Sequence, residues 1–131
     1  VPVVTRFEQI GGETKLRAII DDFVERVFAD TMIGFLFARA SKERIKRFEY
    51  EHAAVLLGAN ITYTGKDLGE AHRKHPILGG HFARRRQILK NVLTKHGVET
   101  SIIDHWLAEV DALREQVTSD LVTECKAGDK T

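Results

Sequence analysis

From Phe7 to Asp30 the chain reads FEQIGGETKLRAIIDDFVERVFAD. Between Thr14 and Phe28, Leu16, Ile19, Ile20, Phe23, Val24 and Val27 recur three and four positions apart. That spacing gathers side chains on one face of an α-helix, whereas a strand would send them to alternating faces. The Gly11-Gly12 pair closes a short helix predicted over Thr5–Ile10, and Asp30-Thr31 ends the periodic run. The reading is helical from the start.

Outward from this segment the same period returns. Met32, Ile33, Phe35, Leu36 and Phe37 form a dense apolar turn with room for a short helix. Ser41 is an N-cap candidate and Glu43 sits in the first turn, where the helix dipole favours negative charge. Arg44 stands where a capping box would need Glu or Gln. The helix is predicted to reach Leu57, with Ile45, Phe48, Glu49, His52, Ala53 and Leu56 facing inward and Gly58 as its stop. After an irregular stretch, 59–65, a short helix is expected over Lys66–Lys74, closed by Pro76. Gly79-Gly80 opens a helix over His81–His96 with Phe82, Ile88, Leu89, Val92 and Leu93 inside, and Gly97-Val98 makes a tight joint. Thr100 or Ser101 is the expected cap of a last helix carrying Ile103, Trp106, Leu107, Val110, Leu113 and Val117. No strand pattern appears, so the fold class is all-α.

A length of 131 residues suits one domain, 1–131, with 1–4 and 122–131 expected to be flexible tails. Hydrophobic residues at 43% and charged residues at 30% exclude a disordered composition. A net charge of +1 gives no global reason to expect nucleic acid or an anionic membrane as partner. The single cysteine, Cys125, allows no internal disulfide, which fits a reducing compartment. No run approaches the roughly 20 apolar residues of a membrane span. No signal-peptide pattern opens the chain, and a cytoplasmic location is the expectation.

Three constellations could carry chemistry. His72 lies in Leu68-Gly69-Glu70-Ala71-His72-Arg73-Lys74-His75-Pro76, where a neutral imidazole could coordinate iron or another borderline metal, with Leu68 one turn earlier against an apolar cofactor. Spacing alone favours a plainer role, a histidine near a helix C-terminus where the dipole welcomes it. Glu49 and His52 interrupt an otherwise apolar stripe, so a ligand, each other, or solvent must satisfy them, unless the stripe is rotated and both are rim residues. Their Glu-x-x-His spacing resembles half of a di-iron carboxylate motif, but no second copy exists. Arg84-Arg85-Arg86 reads as a solvated helix face, except that Arg85 shares helical spacing with Phe82, Leu89 and Val92. It can therefore point inward and pair with Glu49. Phosphate-loop, nucleophile-elbow, Cys-x-x-Cys and zinc-protease patterns are all absent.

The order of Phe7–Gly12, Asp22–Asp30, Tyr63-Thr64-Gly65 and Ala71-His72 resembles the truncated haemoglobins, the two-over-two globins, over about Phe7 to Val117. It looks closest to the first of that family's three groups. The resemblance implies a truncated globin fold, a two-over-two helical sandwich around one haem b (iron protoporphyrin IX). It places the proximal histidine at His72 and the phenylalanine wedged against the haem at Phe37, with Phe23 beside it. Distal positions fall on Val24, Ile45, Phe48, Glu49 and His52, and Arg85 falls where the following long helix meets the pocket. His81 is not assigned as a ligand.

This chain departs from the family pattern at the distal side. Val24 replaces the usual tyrosine donor, Glu49 a frequent glutamine, and His52 an apolar aromatic. Any hydrogen-bond donor would have to come from His52 or Arg85, or else His52 is itself a distal ligand of the iron. The implied function is binding of a diatomic gas (oxygen, nitric oxide or carbon monoxide) with oxygen transport, nitric oxide dioxygenase or peroxidase-type chemistry as extensions, and a reductase as partner. A haem-free or haem-sensing helical module acting through another protein is the alternative, motivated by the charges at Glu49 and Arg85.

Overall fold

In the computed structural model, residues 4–64 and 79–113 are described, and all their regular structure is helical. The helices are α1 (Arg6–Gln9), α2 (Gly12–Ala29), a 3-10 turn (Gly34–Phe37), α3 (Lys42–Leu56), α4 (Gly79–Lys95) and α5 (Thr100–Ala112). The predicted helix over Lys66–Lys74, with Leu68 and His72, lies outside the described residues, as do Cys125 and the expected C-terminal tail.

Helix α2 is the central element and packs against both α3 and α4, while α4 also packs on α5. Its predicted stripe is the buried face: Leu16, Ile19, Ile20, Phe23, Val24 and Val27 are at most 4% exposed. Each such side chain contributes about 1.5–3 kcal/mol on leaving water. Gly11 and Gly12 have φ of +114° and +73°, a region that favours glycine, and so turn the chain from α1 into α2.

Helices α3 and α4 end alike. The Gly58 amide donates to the Val55 carbonyl and the Ala59 amide to Ala54, and the same pair of bonds runs from Gly97 to Thr94 and from Val98 to Leu93. Both glycines have positive φ, so both are Schellman stops. Ser41 caps α3 as expected, accepting from the Arg44 amide.

The last helix differs from expectation. Glu99 is its N-cap and makes no side-chain cap bond, and Ser101 instead donates to the Glu99 carboxylate. The inward face of α3 is also rotated from the predicted one. Tyr50, Ala53, Ala54 and Leu57 are the buried residues, while Ile45, Phe48, Glu49, His52 and Leu56 are half-buried. The cause is local: the two alanines allow close approach to α2, and Tyr50 is drawn inward under the Arg17 guanidinium, 4.2 Å from its ring centre.

Candidate functional site

The rotation of α3 turns its half-buried edge toward a cavity of about 100 Å³ rather than into the packed core. Ile20 and Phe23 of α2 contribute to its lining, as do Phe48, Glu49, His52 and Ala53 of α3. Helix α4 adds Phe82, Arg85 and Leu89, α5 adds Trp106 and Val110, and Leu113 joins them from the C-cap of α5. Tyr63 completes the described lining from the segment after α3. Of the expected site residues, Phe23, Phe48, Glu49, His52 and Arg85 therefore meet at one cavity. Val24 is buried in the core beside it, Phe37 stacks on Phe28 with ring centres 5.3 Å apart, and Ile45 is half-buried on α3. None of these three is on the described lining.

The charged groups are arranged as a pair. Nη2 of Arg85 lies 2.6 and 2.9 Å from the two carboxylate oxygens of Glu49, with the side chains 26% and 30% exposed. The Arg85 guanidinium also covers the Phe23 ring, 4.9 Å from its centre. Its flanking arginines pair elsewhere, Arg84 with Asp30 and Arg86 with Asp111, so the basic run is spread over three separate carboxylates. That dispersal removes the concentrated charge a nucleic-acid patch needs.

His52 meets the cavity beside this pair. Burial holds its imidazole below the usual histidine range, with Arg85 acting in the same direction and Glu49 opposing both. The ring is thus neutral at neutral pH and can donate from one nitrogen while offering a lone pair on the other. Tyr63 packs edge-on against it, ring centres 5.8 Å apart, and against Phe48 at 6.1 Å. Arg44 and Arg47, both exposed, lie over Phe48 at 5.3 and 4.6 Å.

Phe82 and Trp106 read from sequence as core residues, and Tyr63 as part of a loop motif. Helical spacing shows which side chains face inward but not that a cavity lies among them. His81 is not on the described lining and packs edge-on against Phe35, ring centres 5.6 Å apart.

The family is decided by comparison. Residues 5–119 match the bacterial-like globin family. The chain belongs to it. This globin is 26% identical over 113 residues to the group 1 truncated haemoglobin GlbN of Mycolicibacterium paratuberculosis, covering 86% of this chain and 83% of that protein. It is 29% identical over 99 residues to the group 1 truncated haemoglobin of Tetrahymena thermophila, covering 76% and 82%. Its structure superposes on the Fe(III) truncated haemoglobin of Tetrahymena pyriformis with a TM-score of 0.82 at 24% identity, covering 88% and 98% of the two chains. The 2/2 haemoglobin of Synechococcus, in the cyanomet state with covalently attached haem, gives 0.82 at 19% identity, covering 87% and 98%. The truncated, two-over-two globin fold expected from the sequence is the observed one.

Membership of a globin family implies haem, and the residues present suit it chemically. A porphyrin needs flat apolar walls and few polar groups, and Phe23, Phe48, Phe82 and Trp106 supply such walls. No cluster of three or more His, Cys, Asp or Glu side chains placed to hold a metal ion occurs among the described residues. No helix among the described residues is long and apolar enough to cross a membrane.

Proposed function

We propose that this globin binds haem b through His72 as the axial ligand and takes up a diatomic gas, oxygen, nitric oxide or carbon monoxide, on the face lined by Phe23, Phe48, Glu49, His52 and Arg85. Haem supplies an iron that binds such gases and exchanges electrons, which the aromatic lining shields from water. The observation that carries the reading is the neutral His52 set into an aromatic wall beside a charge-compensated Arg85. His52 replaces the missing tyrosine as donor toward a ligand, or reaches the iron itself. A reductase that returns electrons to the iron, and a cytoplasmic setting, belong to this reading. Nitric oxide removal is its natural extension.

The alternative, a haem-free or haem-sensing helical module acting through another protein, would be favoured by a Glu49–Arg85 pair that fills the cavity. The pair instead stands at the wall, partly exposed, with about 100 Å³ left open.

Absorption spectra of the purified protein, ferric and ferrous, with and without carbon monoxide, test the proposal. We expect haem uptake in the wild type, its loss in His72→Ala, and its retention in His75→Ala and His81→Ala. Haem retained by His72→Ala with unchanged axial signals would overturn the assignment. Extraction of the pigment tells b-type haem from other haems.

A further inference from the structure

We infer that Glu49 sets the ligand selectivity of the pocket by cancelling the charge of Arg85, so that the cavity favours uncharged diatomic molecules over small anions. The inference rests on the haem pocket proposed above.

A guanidinium cannot shed its proton in a protein, so Arg85 is a permanent cation on the cavity lining. It is seated against the face of Phe23 and is only 26% exposed, where water screens it poorly. Left alone, such a cation would draw fluoride, azide or similar anions to the pocket. Glu49 prevents this by geometry. Both of its carboxylate oxygens close on one nitrogen, Nη2, at 2.6 and 2.9 Å, without the two-nitrogen fork that arginine usually presents to a carboxylate. Nε and Nη1 take no part in that contact, so the guanidinium is neutralised in charge without all its donors being consumed. The other ionisable side chains on the described lining are the Tyr63 phenol and His52, whose imidazole burial holds below the usual histidine range. An incoming anion therefore meets a carboxylate beside the only cation on offer among the described lining. A neutral gas meets a described lining whose one cation is matched by one carboxylate.

The test uses the haemin-loaded protein at pH 7. Fluoride and azide affinities of the ferric form, and carbon monoxide affinity of the ferrous form, are measured by absorption titration in wild type, Glu49→Gln, Arg85→Leu and the double variant. We expect the ratio of anion to carbon monoxide affinity to rise about tenfold in Glu49→Gln and to fall about tenfold in Arg85→Leu, whose carboxylate is left uncompensated. The double variant returns near wild type. The infrared stretch of bound carbon monoxide gives a second signature, moving to lower frequency in Glu49→Gln as the unmasked cation strengthens the positive field. A ratio unchanged in Glu49→Gln, or raised equally in the double variant, overturns the inference. Should Glu49→Gln fail to fold, an unchanged ratio in Arg85→Leu does so independently. Haem uptake with flat anion affinities rejects this inference alone, whereas a wild type that takes up no haemin rejects the haem pocket with it.

Discussion

Thr64 donates both its amide and its hydroxyl hydrogen to the same carboxylate oxygen of Glu51, each across 2.8 Å. This pair of hydrogen bonds ties the segment after α3 back to that helix, one residue beyond Tyr63, and so holds the tyrosine ring against His52 and Phe48. The Thr64 amide, then its hydroxyl, draw the Glu51 carboxyl below the usual glutamate range. Thr64→Val keeps the shape and removes the hydroxyl. We expect it to cost about 0.5–1 kcal/mol in urea unfolding, since the bond is solvent-accessible. A midpoint equal to wild type would mean that the hydroxyl bond contributes nothing.

His52 lends itself to a spectroscopic prediction. A neutral imidazole on the cavity wall is competent to coordinate iron. If it does, His52→Leu converts a low-spin ferric spectrum to high spin. Identical spectra from the two proteins would take His52 out of the coordination sphere and leave it the role of hydrogen-bond donor.

Asp22 predicts the acid limb of stability. Burial alone would raise its pKa, but hydrogen bonds from Arg26, His96 and Lys95 outweigh that and bring it to about 2. A carboxylate depressed in the folded state stabilises the fold above its unfolded pKa, near 3.8, and the contribution disappears as pH falls through about 2. Wild type should thus exceed Asp22→Asn by about 1–2 kcal/mol at pH 5, with the gap closing between pH 4 and pH 2. A constant gap across that window would show that the charge is not the source. The Asp22–His96 contact, at 2.9 Å, joins the middle of α2 to the end of α4.

Two glycines should respond oppositely to alanine. At Gly34 an added Cβ would stand 2.6 Å from the Phe28 carbonyl oxygen, which is backbone and cannot swing aside. Gly34→Ala should cost about 1–3 kcal/mol. At Gly80, inside α4, the nearest atom is the Met32 methyl at 4.0 Å. Gly80→Ala should be neutral or stabilising by up to about 1 kcal/mol. Thermal melts of the two variants falling on the same side of wild type would contradict this.

Much of the scaffold was legible in the residues alone. The α2 stripe reads unambiguously because its apolar residues keep strict three-and-four spacing, and Ser41 and Gly58 mark their helix ends by capping chemistry. Helix α3 was harder. Its apolar residues, from Ile45 through Phe48, Tyr50, Ala53 and Ala54 to Leu57, cover a broad arc, so periodicity cannot fix which side faces α2. Small alanines and the Arg17–Tyr50 contact decide that, and both depend on a partner helix. The inward turn of Arg85 toward Glu49 was readable from the period shared with Phe82 and Leu89. The Glu51–Thr64 clasp was not, because nothing in a polar residue announces a partner thirteen positions away. Val24, Phe37 and Ile45 came from family resemblance, and none of them reaches the described cavity lining.

Asp30 spends one carboxylate oxygen on the amides of Met32 and Ile33 and the other on Arg84, fifty-four positions along the chain. The local turn that begins the Met32–Phe37 corner thus shares a side chain with a helix made much later in synthesis. Slower deuterium uptake at those two amides in the wild type than in Arg84→Leu would show that the distant arginine steadies the corner by fixing the carboxylate both share.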